Sequence, residues 1–145
     1  MNGRAFCLAF LLAAAPAHAW EAGVEGTICT LDHSGTQGEV RLTYDPSLPL
    51  YTISIRRAEP WPDAPVFSIR FVGSRANLIS TTRHVLSDGR LTLTVTDRGF
   101  GNVLDGLEFN EAAVAMAGET SVAVSLDGAA PEVASFRACV QMPTA

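Results

Sequence analysis

Residues 39–56, EVRLTYDPSLPLYTISIR, decide the fold of this chain. Val40, Leu42 and Tyr44 alternate with polar residues in the first half, and the same alternation returns in the second half. A period of two residues is typical of a β-strand with one buried face. Asp-Pro-Ser at residues 45–47 favours a turn between the halves. The stretch therefore predicts two neighbouring strands, each with one apolar face.

Short runs with the same alternation lie on both sides of this stretch. Asp88-Gly89 separates two of them, and this dipeptide is a strong signal for a two-strand hairpin. The pattern of residues 104–109 is compatible with either a helical turn or a strand. The expected strands cover residues 27–31, 39–44, 51–56, 66–71, 78–86, 91–95, 113–117 and 121–126. About eight short strands with turn residues between them predict an all-β fold, an antiparallel β-sandwich or barrel.

The end of the chain has a different period. Asp127 or Gly128 can cap a short helix with Pro131 near its first turn. Apolar side chains then recur at helical spacing, at Val133, Phe136 and Val140. We expect a short C-terminal helix to follow the last strand.

Residues 1–19 carry the three parts of a secretory signal peptide. Arg4 supplies positive charge, residues 6–15 are apolar, and Ala17-His18-Ala19 is a small-residue cleavage site. The apolar part is shorter than the roughly 20 residues that span a bilayer. We expect export to the periplasm or the extracellular space, cleavage before Trp20, and one domain over residues 20–145.

Two cysteines remain after that cleavage, because Cys7 lies in the signal peptide. Cys29 and Cys139 stand near opposite ends of an exported domain, where an oxidising environment favours a disulfide. The sequence therefore predicts a Cys29–Cys139 bond that joins the first expected strand to the terminal helix.

The charge composition argues against several classes of function. Residues 20–145 hold nine arginines against fifteen acidic residues, and the chain has no lysine. Phosphate binding by a P-loop and Schiff-base chemistry both need lysine. An acidic domain also lacks the basic surface of a nucleic-acid binder. We expect no cofactor, no nucleic-acid partner and no stable membrane insertion after cleavage.

Histidines and oxygen ligands offer only weak site signals. His33 follows Asp32 and precedes Ser34, but the members of a catalytic triad are brought together by the fold rather than by sequence adjacency. His84 lies in a run expected to be a strand face. One further stretch has oxygen-bearing side chains at Asp97, Asn102, Asp105 and Glu108. The sequence leaves two interpretations of it, a Ca²⁺ site and a simple turn rich in Asp, Asn and Gly.

Two aromatic residues are candidate partner contacts. Trp61 lies between Pro60 and Pro62, which hold the segment extended and remove ladder hydrogen bonds. An aromatic side chain exposed on a rigid loop is a common anchor for a protein partner. Phe100, between two glycines, poses the same choice. The alternative is that these rings fold back over the end of the core.

Two stretches carry a resemblance to known proteins: residues 94–107, TVTDRGFGNVLDGL, and the closing VSLDG and FRAC at residues 124–128 and 136–139. The chain resembles a group of small exported alphaproteobacterial β-proteins of unassigned function. Some of them carry an excinuclease ABC label, which this chain does not support because it has no P-loop. Its last quarter is also similar to the invasion-associated locus B group. Neither resemblance implies catalytic residues.

The sequence thus favours a non-enzymatic exported β-domain that binds a protein partner or supports the envelope. One alternative is an inhibitor of a lysozyme or a protease, since an acidic domain attracts a basic lysozyme. A second alternative is a small hydrolase that uses His33 or His84.

Overall fold

A computed structural model describes residue 3 and residues 20–142. The expected signal peptide lies outside the described residues except for Gly3, so its cleavage stays a prediction. The described chain forms ten strands and two helices. In chain order these are β1 (Trp20–Glu25), β2 (Ile28–Ser34), β3 (Glu39–Asp45), β4 (Leu50–Arg56), β5 (Phe67–Val72), β6 (Asn77–Thr81), β7 (Val85–Ser87), β8 (Thr92–Asp97), α1 (Gly101–Phe109), β9 (Ala112–Ala117), β10 (Thr120–Ser125) and α2 (Ala129–Val140).

The strands form two antiparallel sheets with the core between them. The larger sheet has six strands in the order β1-β2-β3-β4-β8-β7, and the smaller has four in the order β10-β9-β5-β6. In residues 39–56 the expected strands pair as β3 and β4, with Leu42 opposite Ile53. The all-β antiparallel sandwich with a short C-terminal helix is confirmed, with ten strands in place of about eight.

Residues 78–86, expected as one strand, are two strands in different sheets. β6 lies at the edge of the smaller sheet, whereas β7 lies at the edge of the larger one. The chain crosses between them after Thr81, whose Oγ1 accepts a hydrogen bond from the backbone N–H of Arg83 at 3.1 Å. This local bond turns the chain out of β6, which an alternating pattern alone does not reveal.

The predicted Asp88-Gly89 hairpin is present, and a second hairpin joins β9 to β10. Asp88, Gly89 and Arg90 have φ values of 54°, 63° and 66° and join β7 to β8. Positive φ at consecutive turn residues matches the twist of the flanking strands, which is why Asp-Gly marks such hairpins. Gly118, with φ of 57°, lies in the turn between β9 and β10.

Two elements go beyond the expectation. β1 precedes the first expected strand and pairs with β2 along its whole length. Residues 104–109 belong to α1, which settles the choice between a helical turn and a strand. Gly106 permits α1 to pack here, because a Cβ at this position would collide with the ring of Phe71.

The C-terminal helix closes one side of the sandwich. Val133 and Phe136 of α2 are buried in the core. Cys139 forms a disulfide with Cys29 of β2, with the two Cα atoms 6.0 Å apart, which confirms the predicted pairing. Within the described part of the chain, no helix is long and apolar enough to cross a membrane.

Candidate functional site

A cleft with a volume of about 410 Å³ opens between the two sheets beside β6. Ligand pockets in proteins commonly measure about 300–1,000 Å³, so the cleft is large enough to receive several atoms of a ligand or partner. Strands β4, β5, β6 and β8, together with the start of α1, contribute its walls. The lining residues are Ile53, Phe67, Ile69, Ile79, Ser80, Thr81, Arg83, Val95, Asp97, Gly99, Phe100, Gly101, Asn102 and Val103.

The floor of the cleft is apolar because it continues the sandwich core. Ile53 and Val95 are directly opposite each other on β4 and β8 of the larger sheet. Ile69 and Ile79 are directly opposite each other on β5 and β6 of the smaller sheet. Ile53 and Ile69 are buried, whereas Ile79 and Val95 are partly exposed. The core thus reaches the surface at this point.

The rim of the cleft is polar and charged. Arg83 Nη2 lies 3.0 Å from Asp97 Oδ2. The other carboxylate oxygen of Asp97 accepts a hydrogen bond from the backbone N–H of Arg98 at 2.7 Å. Because the Arg83 side chain is 71% exposed, this ion pair contributes little to folding stability and can exchange partners.

The loop between β8 and α1 leaves space along the cleft. Gly99 and Gly101 both line it, and a Cβ at either position would meet no atom within 4 Å. Phe100 between them turns inward, is 4% exposed and stacks on Tyr51 with ring centroids 5.3 Å apart. Gly99 and Gly101 therefore widen the opening of the cleft, while Phe100 forms part of its wall.

Trp61 lies in the core, and the expectation of an exposed anchor at this residue is wrong. Its side chain is 0% exposed, and its indole N–H donates a hydrogen bond to the carbonyl of Ile55 at 3.1 Å. The proline-rich segment is tied back because the backbone N–H of Trp61 donates to the carbonyl of Arg90 at 2.7 Å. The ring packs edge-on against Phe67, a lining residue, so Trp61 supports the cleft from behind.

Phe100 is also buried rather than exposed, so it is not a surface anchor either. The Phe100 ring fills the space above Tyr51. The alternative that the aromatic rings fold back over the core describes both residues. Of the two, only Phe100 lines the cleft.

The two described histidines lie in different parts of the fold, and the His84 ring is 6.1 Å from the ring of Phe67, a lining residue. His33, on β2, is buried and stacks on Trp20 with ring centroids 4.5 Å apart. His84 lies in the crossing between β6 and β7 rather than on a strand, and its Nε2 is 2.9 Å from the carbonyl oxygen of Ala64. Neither histidine is among the residues that line the cleft.

The acidic residues proposed as oxygen ligands are held by arginines from different elements. Asp97 pairs with Arg83, whereas Asp105 and Glu108 both pair with Arg137 of α2 at 2.7 and 3.5 Å. The expected loop is a helix from Gly101 onward. Among residues 20–142 and Gly3, no group of three or more His, Cys, Asp or Glu side chains could hold a metal ion.

Positive charge is concentrated in the segment of sequence that supplies most of the cleft. Residues 66–104 hold five arginines and two acidic residues. Residues 20–65 hold three arginines against seven acidic residues, and residues 105–145 hold one against six. Because 13 of the 14 lining residues fall within 66–104, the cleft belongs to a basic segment of an acidic protein.

The outer face of the larger sheet has a different character. Thr30, Thr43, Thr52 and Thr96 are opposite one another on four successive strands. Beside this row, burial raises the pKa of the Asp32 carboxyl above its ordinary value, against the opposing effect of the nearby Arg41. This polar face contrasts with the apolar floor of the cleft.

The sequence did not identify the cleft, although two signals for it were present. Ile79, Thr81 and Arg83 all fall within one expected strand. The sequence pattern therefore does not show that the smaller sheet ends at β6. The excess of arginine in residues 66–104 and the pair Gly99 and Gly101 are the signals that point to this region.

Comparisons with known proteins add no relative to this description. No family model, no curated protein and no solved structure matches the chain.

Proposed function

We propose that this protein is an exported, non-enzymatic binding domain that receives a protein partner at the cleft between its two sheets. The observation that carries the proposal is the combination of an apolar floor with a charged rim in one open cleft. Apolar walls with a few placed polar groups are the usual design of a binding site. The same binding would let the domain support the cell envelope by holding another envelope protein.

Export to the periplasm or the extracellular space is part of the proposal. The composition of residues 1–19 supports it, because it has the three parts of a signal peptide. The Cys29–Cys139 disulfide supports it independently, since such bonds persist in oxidising compartments and are rare in the cytosol.

The polar groups at the cleft support binding rather than catalysis. The described lining residues include no histidine, the commonest general base, and no cysteine. Ser80 Oγ lies 2.8 Å from Ser68 Oγ, within hydrogen-bond distance of another hydroxyl. Asp97 is already engaged by Arg83.

A cleft-filling variant tests the binding site. Gly101→Trp places a large ring at a position where a Cβ meets nothing, so it should obstruct the cleft while the core keeps its packing. Ser121→Trp is the matched control, because Ser121 is exposed on β10, away from the cleft. Each tagged chain is expressed in the organism from which the protein comes, cross-linked to its neighbours with formaldehyde and purified.

We expect the parent and Ser121→Trp to retain the same cross-linked partner, and Gly101→Trp to lose it. Equal recovery with all three chains would show that the partner binds elsewhere. Recovery with none of them would contradict a protein partner.

Cell fractionation and mass spectrometry of the N-terminus test export separately. We expect a chain that begins at Trp20 and has no free thiol. A full-length chain in the cytoplasm with two or more free thiols would contradict export.

A further inference from the structure

We propose that β6 is an open sheet edge to which the partner adds an extended, acidic segment as a further strand, with alternate apolar side chains filling the cleft. This inference rests on the proposed function and specifies the chemistry of the partner. Strand addition is a common mode of peptide recognition, in which main-chain hydrogen bonds supply affinity and pockets for alternate side chains supply specificity.

Two of the four sheet edges are covered by the chain itself. On β1, the backbone N–H of Ala22 donates a hydrogen bond to Glu132 Oε2 of α2 at 2.9 Å. On β10, the backbone N–H of Ala123 donates to Gln37 Oε1 at 2.9 Å. Satisfied backbone donors and a covering helix are how proteins prevent unwanted strand pairing.

A third edge, β7, is only three residues long, which leaves little ladder to offer. The fourth edge, β6, has five residues, Asn77–Thr81, with neither proline nor charge among them. No side-chain or loop hydrogen bond among residues 20–142 covers its outer side in the way that Glu132 and Gln37 cover the other edges. Leu78 on this strand is 52% exposed. β6 therefore lacks the devices that protect the other edges.

The cleft lies where the inward side chains of an added strand would go. Ile79, Ser80 and Thr81 of β6 form one wall of it, and Ile53 and Val95 of the opposite sheet form the other. Successive side chains of a strand point to opposite faces. Every second residue of an added strand would therefore enter the apolar cleft beside Ile79, and the intervening residues would lie at the surface beside Leu78.

The charge around β6 indicates which side chains the added strand should carry at its surface positions. Residues 66–87 contain three arginines and no acidic residue. Arg70 is directly opposite Leu78 on β5, Arg75 precedes β6 by two residues, and Arg83 follows it by two. All three are exposed. Acidic side chains at the surface positions of the added strand would meet this set of arginines, whereas basic ones would be repelled.

A defined peptide tests the inference with the mature, oxidised protein. The probe is a seven-residue peptide of alternating glutamate and valine, and its control replaces every glutamate by lysine. NMR reports two regions at once: amide hydrogen exchange in residues 77–81, and the methyl signals of Val95 and Val103 in the cleft.

We expect the acidic peptide to slow amide exchange in β6 and to shift both methyl signals. The lysine peptide should bind at least about tenfold more weakly, a ratio that corresponds to about 1.4 kcal/mol. N-methylation of alternate peptide bonds should abolish binding in one of the two possible patterns, because only one set of amides faces β6.

Protein variants separate charge from folding. Arg70→Glu with Arg75→Glu should weaken the acidic peptide about tenfold and strengthen the lysine peptide. Arg56→Glu makes the same kind of charge change at an exposed position on the larger sheet and should leave both affinities near those of the parent.

Each contrary result has a definite meaning. Methyl shifts without protection of β6 would refute strand addition and leave the cleft as the binding site. Equal binding of both peptides would refute the acidic partner. Protection of β6 that grows with protein concentration and needs no peptide would show that a second copy of this chain occupies the edge. No effect on either region would refute the acidic strand addition, whereas the proposed function is contradicted only if the cross-linking experiment recovers no partner.

Discussion

The side of the sandwich at β1 and the side at β6 are built in opposite ways. At β1, α2 packs against the sheet, the Cys29–Cys139 disulfide ties it in place, and Glu132 occupies a backbone donor of the edge strand. At β6, no side-chain or loop hydrogen bond within residues 20–142 caps the outer side of the last strand of the smaller sheet, and core residues line a cleft. One side is closed and the other is open.

Under the proposed function, this difference separates the part of the molecule that stabilises the fold from the part that binds a partner. Covalent and packing contributions are concentrated at the closed side, where Val133 and Phe136 are almost wholly buried. The open side keeps partly exposed apolar residues such as Ile79 and Val95. Changes at the closed side should therefore alter unfolding, whereas changes at the open side should alter partner binding.

Removal of the disulfide should have the largest effect on stability. Cys29→Ser with Cys139→Ser opens a loop with a sequence separation of 110 residues. Loop-closure entropy predicts a loss of about 4–5 kcal/mol in the free energy of unfolding. Urea denaturation of the variant and of the reduced parent should give similar midpoints, both well below that of the oxidised parent. An unchanged midpoint would show that α2 is held by packing alone.

Truncation of one apolar side chain on each side compares the two directly. Phe136→Ala at the closed side should cost about 3–5 kcal/mol, because it leaves a cavity in a packed core. Ile79→Ala at the open side should cost only about 1 kcal/mol, since that side chain is already partly exposed. Equal losses in urea denaturation would contradict the division into a closed and an open side.

Gly106 tests the packing that joins α1 to the smaller sheet. Gly106→Ala should destabilise by about 1–3 kcal/mol because the new methyl group collides with the Phe71 ring. Gly101→Ala on the same helix is the matched control, and it should be neutral or slightly stabilising because its Cβ meets nothing. Thermal unfolding of both variants measures the difference. If both changes were neutral, α1 would not be packed closely on Phe71.

Replacement of Asp32, on the polar face of the larger sheet, should have the smallest effect on the free energy of unfolding. That effect should depend on pH. Burial raises the pKa of this carboxyl above its ordinary value of 3.8, so the folded state favours the protonated form. Its contribution to stability is present below pH 3.8 and is lost as the pH rises through the higher folded-state pKa.

Asp32→Asn removes that titration. The stability of the variant relative to the parent should therefore rise with pH across this interval, as measured by urea denaturation at a series of pH values. A relative stability that fell with rising pH would mean that the ion pair with Arg41 outweighs burial.

Local patterns in the sequence determined most of the fold but little of the site. The alternation at Val40 and Leu42 and the Asp88-Gly89 turn predicted strands and a hairpin correctly, because both signals act between near neighbours in the chain. The burial of Trp61 depends on a backbone hydrogen bond to Arg90, which is 29 residues away. A local sequence pattern cannot reveal a contact between such distant residues.

The cleft escaped prediction for a related reason. Alternation continues from β6 into β7, yet the two strands belong to different sheets. Which strand ends a sheet is decided by tertiary packing, so an open edge is invisible to a period of two residues. Only the local excess of arginine and the pair Gly99 and Gly101 marked the region in advance.

Position-dependent photo-cross-linking along the two edges tests the central claim most directly. A benzoylphenylalanine residue is placed at Leu78 or Ser80 on β6, and at Ala22 or Val24 on β1, in the full chain expressed in its own host. We expect partner adducts from the two β6 positions and none from the β1 positions. Adducts from β1 in equal or greater yield would contradict the assignment of binding to the open side.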